Sequence, residues 1–372
     1  MPFEVEHDWQ ASLSTPKPSI GERAKTRLLL LLCFLWLSLG LIGHHPWKPA
    51  EAQAVSAVLH LLEGGSWVIP SVAGNPTLEN PPLYYLSAAA SATLLSPWLL
   101  PMHDAARLAT GVWMALTLLL VGMTGREMWG MGAGRQTTFI FLGSIGLFFS
   151  AHLLHPEVAA LTGYAMAFYG LALARRRPWR AAPLIGSGMG IAFLSSGLLA
   201  AGILVSTALL LPLLFVNWRG KAYLTSMSLG LLIAIAWGLA WLIPLWQHAP
   251  EMLASWLRSG THLLDNDSLL YFPNLLLWFA WPALPLAAWS LWYFRKHLLQ
   301  RPQFQLALLF LSVTLLLLGL GANGRDILAL PLLLPLAVMG GAAVEELRRG
   351  TASASGSNCE NGMAVSPSSC IR

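Results

Sequence analysis

Long apolar runs recur along almost the whole chain, and a run of about 20 such residues is what crosses a bilayer as a helix. The first is Leu28 to Ile42. The others fall at roughly 81–101, 104–124, 137–153, 157–174, 181–196, 198–216, 222–246, 269–294, 304–321 and 326–343. Only 10% of the 372 residues are charged, where a soluble domain carries about 25%. The pattern predicts an all-α polytopic membrane protein. The net charge of +5 then concerns orientation in the membrane, and no nucleic-acid partner is expected. Cys33, Cys359 and Cys370 make no paired framework, so no structural disulfide is expected. The polar stretch before Leu28 has no small-residue cleavage site, which predicts an anchor and not a cleaved signal.

Basic residues fix the topology. If every run spans, Arg175, Arg176, Arg177 and Arg180 fall on the side opposite the N-terminus, against the positive-inside rule. If 81–101 stays at the interface, the conflict disappears. Pro81, Pro82, Pro97 and Pro101 favour this, since they leave only a short helix between them. Of the 22 Lys and Arg residues, only Lys48, Arg107, Arg258 and Arg325 then lie outside. The expectation is about ten transmembrane helices with both termini inside. It divides the chain into a cytoplasmic tail over 1–24, a membrane domain over 25–349 with a first outer loop at 44–103, and a tail over 350–372. That last tail is small, polar and without periodicity, and is expected to be disordered.

The outer loop carries the chemistry-bearing pattern. His44, His45 and Lys48 open it, an amphipathic stretch runs from Ala50 to Glu63, and Gly64-Gly65 turns the chain. An extended piece through Trp67-Val68-Ile69-Pro70 follows, and Glu79-Asn80-Pro81-Pro82 closes the loop. The same topology puts His103-Asp104, His155-Pro156-Glu157, Ser195-Ser196-Gly197, Asp265, Asp267 and Asn323-Gly324-Arg325-Asp326 on this face. Ionisable groups at membrane level are costly and mark sites or pathways. His44 and His45 are too isolated for a metal site, and no metal or cofactor is expected. Trp278, Trp281, Trp289 and Trp292 read as packing and an interfacial belt.

These motifs, in this order, resemble the polyprenyl-phosphate-sugar glycosyltransferases: glycosyltransferase family 39, the protein O-mannosyltransferases and the bacterial aminoarabinose transferase of lipid A. The resemblance rests on Ala50-Glu51-Ala52-Gln53-Ala54, Gly65-Ser66-Trp67-Val68-Ile69-Pro70, Glu79-Asn80-Pro81-Pro82-Leu83-Tyr84-Tyr85, Ala105-Ala106-Arg107-Leu108, Gly190 to Gly197, and Arg325 followed by Leu330-Pro331. It covers about 28–345. It implies a C-type glycosyltransferase architecture, with amphipathic juxtamembrane helices in the first outer loop. The implied partners are a polyprenyl-phosphate-linked sugar donor, a lipid, glycan or protein acceptor, and membrane lipids. The implied location is the inner (plasma) membrane, with the active face outside the cytoplasm.

Several positions depart from the family pattern. Its first carboxylate, the proposed base, falls on Ala50. Its lysine after the glutamate falls on Asn80, its lysine near the end of the fifth span on Ser196, and its aspartate before proline on His155. The resemblance therefore implies Glu51 and Glu79 as catalytic carboxylates. It implies Arg325, His155 and Lys48 as the groups for the donor phosphate. Transfer needs a base at the acceptor hydroxyl and positive charge at the leaving phosphate. The alternative is a non-catalytic relative that keeps the fold and lipid binding. A transporter would show repeated halves around a midplane site, and no internal repeat is visible.

Overall fold

A computed structural model describes residues 21–43, 45–47, 49–130, 132–259, 270–321 and 324–344. The segments expected as tails fall mainly at 1–20 and 345–372, outside the described residues, as do His44, Lys48, Asp265, Asp267 and Asn323.

The described chain is a helical membrane protein. Helix α1 is Glu22–Leu39, α2 Ala50–Leu62, α3 Leu83–Leu95, α4 Met102–Trp129, α5 Ala133–Leu142, α6 Ile145–Ser150 and α7 Pro156–Leu173. It continues with α8 Pro178–Ser196, α9 Leu198–Leu214, α10 Lys221–His248, α11 Pro250–Ser259, α12 Tyr271–Phe279, α13 Ala283–Tyr293 and α14 Pro302–Gly321. The last, α15, is Asp326–Val344 and opens as a 3-10 helix over Asp326–Leu332. A two-residue hairpin pairs β1, Ser71–Val72, with β2, Asn75–Pro76.

Helix α7 is the axis of the bundle. It is apolar all round, and almost every residue in it is buried, as expected of a helix enclosed by others. Small residues let α8 lie against it. A Cβ on Gly163 would come within 2.5 Å of the Ala192 amide, and one on Gly188 within 2.5 Å of the Ala167 amide. Such close backbone approach is how helices pack where lipid gives no hydrophobic drive. By contrast, α10 leaves Leu224, Leu231, Leu232, Ile235, Leu239, Ile243 and Trp246 exposed, a lipid-facing stripe.

Among the described residues, four helices are long and apolar enough to cross a membrane on their own: α4, α10, α14 and α15. The pair α12–α13 makes a fifth if counted as one span, but it is bent by 100°. The run 269–294, expected as a single span, is thus broken. Pro282 sits at the break and supplies no amide to continue the helix. The run 137–153 also breaks, at Gly143-Ser144 between α5 and α6. Helices α1, α7, α8 and α9 have 17 to 19 residues each, so the expected count of ten is not reached by length and composition alone. Helix α3 has 13 residues, about 20 Å at 1.5 Å per residue. That falls short of the roughly 30 Å hydrocarbon layer, in keeping with a run that lies at the interface.

The outer loop folds as its residues direct. The amphipathic stretch becomes α2, with Glu51, Ala54, Ala57 and Val58 buried on one face. Gly64, at φ +87°, ends it. The Gly65 amide donates to His60 O at 2.9 Å and the Gly64 amide to Leu61 O at 3.2 Å, the paired bonds of a Schellman stop. The piece expected to be extended instead bends over 67–69 and is pinned to α10, where the Trp241 indole N–H donates to Val68 O at 2.9 Å. The hairpin is pinned to α2, where the Ala73 amide donates to Ser56 Oγ at 2.9 Å.

Candidate functional site

The outer loop, the start of α7 and the start of α15 enclose a cavity of about 590 Å³. Helix α2 contributes Ala50, Gln53 and Ala54, and the hairpin contributes Val72 and Asn75. The turn before α3 contributes Thr77, Glu79 and Asn80, and α3 contributes Tyr85. Leu153, His155 and Pro156 come from the start of α7, and Arg325, Asp326 and Ile327 from the start of α15. Of the residues expected at the site, Glu79, His155 and Arg325 are thus gathered here. Lys48 lies outside the described residues.

Arg325 Nη1 stands 2.6 Å from Glu79 Oε1, with both side chains about half exposed. Each is held by its neighbours. Glu79 precedes Asn80 and two prolines, and its amide donates to Thr77 Oγ1 at 3.3 Å. Arg325 has extended backbone, φ −114° and ψ 125°, and caps the first turn of α15.

His155 caps α7. Its backbone is extended and its Nδ1 accepts the Glu157 amide at 3.2 Å, while Pro156 occupies the first helical position, where its missing N–H costs nothing. This bond assigns the ring proton to Nε2. Burial first, then the nearby Arg325 charge, push the imidazole down to about 4, against the opposing pull of Glu79 and Glu51. At neutral pH His155 is therefore uncharged. It was expected to meet phosphate as a cation; its available contribution is a neutral Nε2–H donor.

Glu51 sits elsewhere. Consecutive helical residues diverge by about 100°, so Ala50 faces the cavity while Glu51 turns towards α4. There it is 1% exposed and fully engaged. Arg107 Nε lies 3.3 Å from Oε1, the Leu154 amide donates to Oε1 at 2.7 Å and the Trp47 amide to Oε2 at 2.8 Å. Arg107, itself buried, also reaches Asp104 Oδ1 at 3.0 Å, and Asp104 Oδ2 accepts the Gly43 amide at 3.2 Å. The network ties the ends of α1, α2 and α4 to the turn before α7. Glu51, expected in a catalytic role, is held by these bonds behind the cavity wall.

Two further groups stand out. Glu157, buried at the start of α7, accepts the Ser196 hydroxyl at 2.7 Å. Asp326 lines the cavity and its Oδ1 accepts the Tyr271 hydroxyl. The sequence marked Arg107 as an outer basic residue and as part of Ala105-Ala106-Arg107-Leu108, and not as a buried group. The acid three positions before it, Asp104, is the signal that it could be paired and buried. Ala50 and Asn80 line the cavity as uncharged residues.

No family model matches the chain. In sequence it is similar to undecaprenyl phosphate-alpha-4-amino-4-deoxy-L-arabinose arabinosyl transferases. That of Pseudomonas aeruginosa strain UCBPP-PA14 is 28% identical over 349 residues, covering 88% of this chain and 61% of the relative. That of Pseudomonas savastanoi pv. phaseolicola is 26% identical over 348 residues, covering 88% and 63%. The chain spans about three fifths of the length of these relatives. In structure it is similar to ArnT from Cupriavidus metallidurans bound to undecaprenyl phosphate, with a TM-score of 0.75 at 16% identity over 95% of this chain and 68% of that one. It is also similar to the archaeal oligosaccharyltransferase AglB from Archaeoglobus fulgidus in complex with an inhibitory peptide and a dolichol-phosphate, with a TM-score of 0.57 at 12% identity over 92% and 52%.

Proposed function

We propose that this chain, which has the membrane fold of the C-type glycosyltransferases, transfers a sugar from a polyprenyl-phosphate donor to an acceptor at the outer face of the plasma membrane. The observation that carries this reading is the meeting of Arg325 and Glu79 in one cavity at the helix starts, in a fold shared with an ArnT bound to undecaprenyl phosphate.

The chemistry follows from the residues. A guanidinium presents a fork of donors that matches phosphate oxygens, and Arg325 is half exposed, so a phosphate can reach it from the cavity. The phosphate then competes with the Glu79 carboxylate for the same donors. As the bond between sugar and phosphate breaks, negative charge grows on the phosphate, and Arg325 stabilises it where it develops. The neutral His155 adds a donor at Nε2 without adding charge. The lipid tail stays among the apolar helices, which explains an acidic and basic pair placed at the outer ends of membrane helices. The 4-amino-4-deoxy-L-arabinose of the relatives' donor is the first sugar to test.

A second reading is favoured by Ala50 and Asn80, which put no charge on the cavity wall: a non-catalytic relative that binds the lipid phosphate. Purified protein in proteoliposomes decides between them. Supplied with undecaprenyl phosphate-α-4-amino-4-deoxy-L-arabinose and lipid A as acceptor probe, a transferase releases undecaprenyl phosphate. Protein that binds undecaprenyl phosphate but never consumes the donor is the non-catalytic relative.

A further inference from the structure

We infer that the end of the bundle opposite the cavity binds the phosphate headgroup of an anionic phospholipid, with Arg175 and Arg176 as its ligands. The glycosyltransfer reading makes no use of this end, and neither depends on the other.

A second, small cavity of about 40 Å³ lies there, between the end of α4, the turn after α7, the segment after α9 and the start of α14. Its lining includes Glu127, Arg175, Arg176, Trp218 and Gln303. Its floor is held by hydrogen bonds. Trp218 is buried, its indole N–H donates to Gln305 Oε1 at 2.8 Å, and Gln305 Nε2 donates to Leu299 O at 2.6 Å. The Arg175 guanidinium carbon stands 5.6 Å from the centre of the Trp218 ring, close enough for the ring face to hold the cation. Arg175 is therefore placed, yet it has no hydrogen bond or ion pair to any described residue. Arg176 Nη1 is 3.6 Å from Glu127 Oε1, and Arg177 Nη1 is 3.9 Å from Oε2, both longer than the roughly 2.7–2.9 Å of a full charge-assisted bond. One carboxylate thus serves three guanidiniums and leaves an excess of two positive charges. Burial first, then the Arg176 charge, lowers the Arg175 pKa. An anion between the two arginines offsets that repulsion.

The surroundings select the kind of anion. The space takes a phosphate oxygen or one water, whose share of liquid volume is about 30 Å³, and it is too small for a sugar or a nucleotide base. The other phosphate oxygens stay at the mouth, where Arg175 and Arg176 are exposed. One side of that mouth is apolar. Leu213, Leu214 and Val216 around the end of α9 and Leu299 before α14 are all exposed. The Asn217 side-chain amide donates to Gln300 O at 3.4 Å and brings these two segments together. In a membrane bundle such side chains meet acyl chains. A cationic pocket beside a lipid-facing edge fits a molecule that carries both a phosphate and hydrocarbon, and a guanidinium matches phosphate oxygens in a fork. The bound headgroup joins α4, α7 and α14 at their ends.

Native mass spectrometry of the purified full chain in detergent tests this, with phosphatidylglycerol, phosphatidylcholine of the same acyl chains, and glycerol phosphate as probes. Wild type should hold phosphatidylglycerol at least about tenfold more tightly than phosphatidylcholine, the scale of one hydrogen bond to a charged group. Arg175→Gln should weaken phosphatidylglycerol binding by about tenfold. Arg180→Gln removes a charge close by in sequence but outside the cavity lining, and should bind as wild type does. So should Arg325→Gln, in the larger cavity. Equal affinity of wild type for the two lipids overturns the inference, and that comparison needs no variant to fold. Wild-type affinity in Arg175→Gln overturns it too. An equal loss in Arg180→Gln would mean a diffuse field and no site, and an equal loss in Arg325→Gln would put the lipid in the larger cavity; either result overturns it. Glycerol phosphate that binds as tightly as phosphatidylglycerol makes this a site for free phosphate and overturns the lipid assignment. Donor turnover is not read in this experiment, so the transferase reading stands or falls separately.

Discussion

Arg325 Nη1 and Glu79 Oε1 stand 2.6 Å apart, one at the start of α15 and the other in the turn before α3. The cavity they share has no complete wall until the two ends of the membrane domain have packed together. The Glu51–Arg107–Asp104 network is what holds the loop side of that wall in place.

Arg107→Ala should therefore be among the most destabilising single changes in the protein. It leaves two buried carboxylates facing one another without a cation, and breaking a buried ion pair in this way costs about 3–5 kcal/mol. Unfolding of the purified protein in detergent measures it. Glu51→Gln should lower stability, because Arg107 loses its charged partner, yet leave the pH dependence of transfer unmoved. If Glu51→Gln instead keeps full stability and abolishes transfer, Glu51 is a base and the strut assignment is wrong.

His155 makes stability depend on pH in a stated direction. Its folded value of about 4 lies below the usual 6.5, so the unfolded chain binds the extra proton first. Stability is then constant above about 6.5 and falls as pH drops from there to about 4. His155→Asn keeps a side-chain acceptor for the Glu157 amide but does not titrate. Its melting temperature should fall less over that window. Parallel melting curves for the two proteins between pH 7 and pH 4 would count against the assignment.

Ala50 and Asn80 face the cavity without charge. Ala50→Asp with Asn80→Lys adds a carboxylate on the α2 side and a cation beside Glu79. The pair should raise transfer above the wild-type rate, measured as undecaprenyl phosphate released. A double variant that folds normally and gains nothing would mean that these positions do not face the reacting groups.

The topology is open to a direct test. The topology expected from the basic residues puts Arg177 in the cytoplasm and Ser66 outside. Arg177→Cys in a background with Cys33, Cys359 and Cys370 all replaced by Ser should resist a membrane-impermeant thiol reagent applied from outside, and Ser66→Cys should react. Labelling of Arg177→Cys from the outer side would reverse the assignment.

Much of this was readable from local rules. Helix α2 begins and ends within a residue of the stretch from Ala50 to Glu63 because amphipathic spacing and Gly64-Gly65 both act locally. The short α3 followed from its flanking prolines. The bend at Pro282 was harder, because both halves of 269–294 are apolar and composition alone cannot tell a span from a broken one. At the site, Glu79, His155 and Arg325 were legible because each sits at a helix boundary on one face of the membrane. Glu51 was not, because its role depends on which side of α2 packs against α4, and a turn of about 100° separates a cavity residue from a buried strut. Arg107 was counted as an outer charge because its second partner, Glu51, comes from a different helix. Asp326 stood in the quoted motif, but the bond from Tyr271 that directs it joins two helices distant in sequence.

The central claim is that Arg325 holds a lipid phosphate in this cavity, and the direct measurement is binding of undecaprenyl phosphate to wild-type protein and to Arg325→Gln. Glutamine removes the charge and the fork but can still bond to neighbouring groups. Wild type should bind saturably and Arg325→Gln at least about tenfold more weakly, the scale of one charge-assisted contact worth roughly 1.5–3 kcal/mol. Arg219→Gln, a change on the opposite face of the membrane, should bind as wild type does. Equal affinity in wild type and Arg325→Gln would contradict the account.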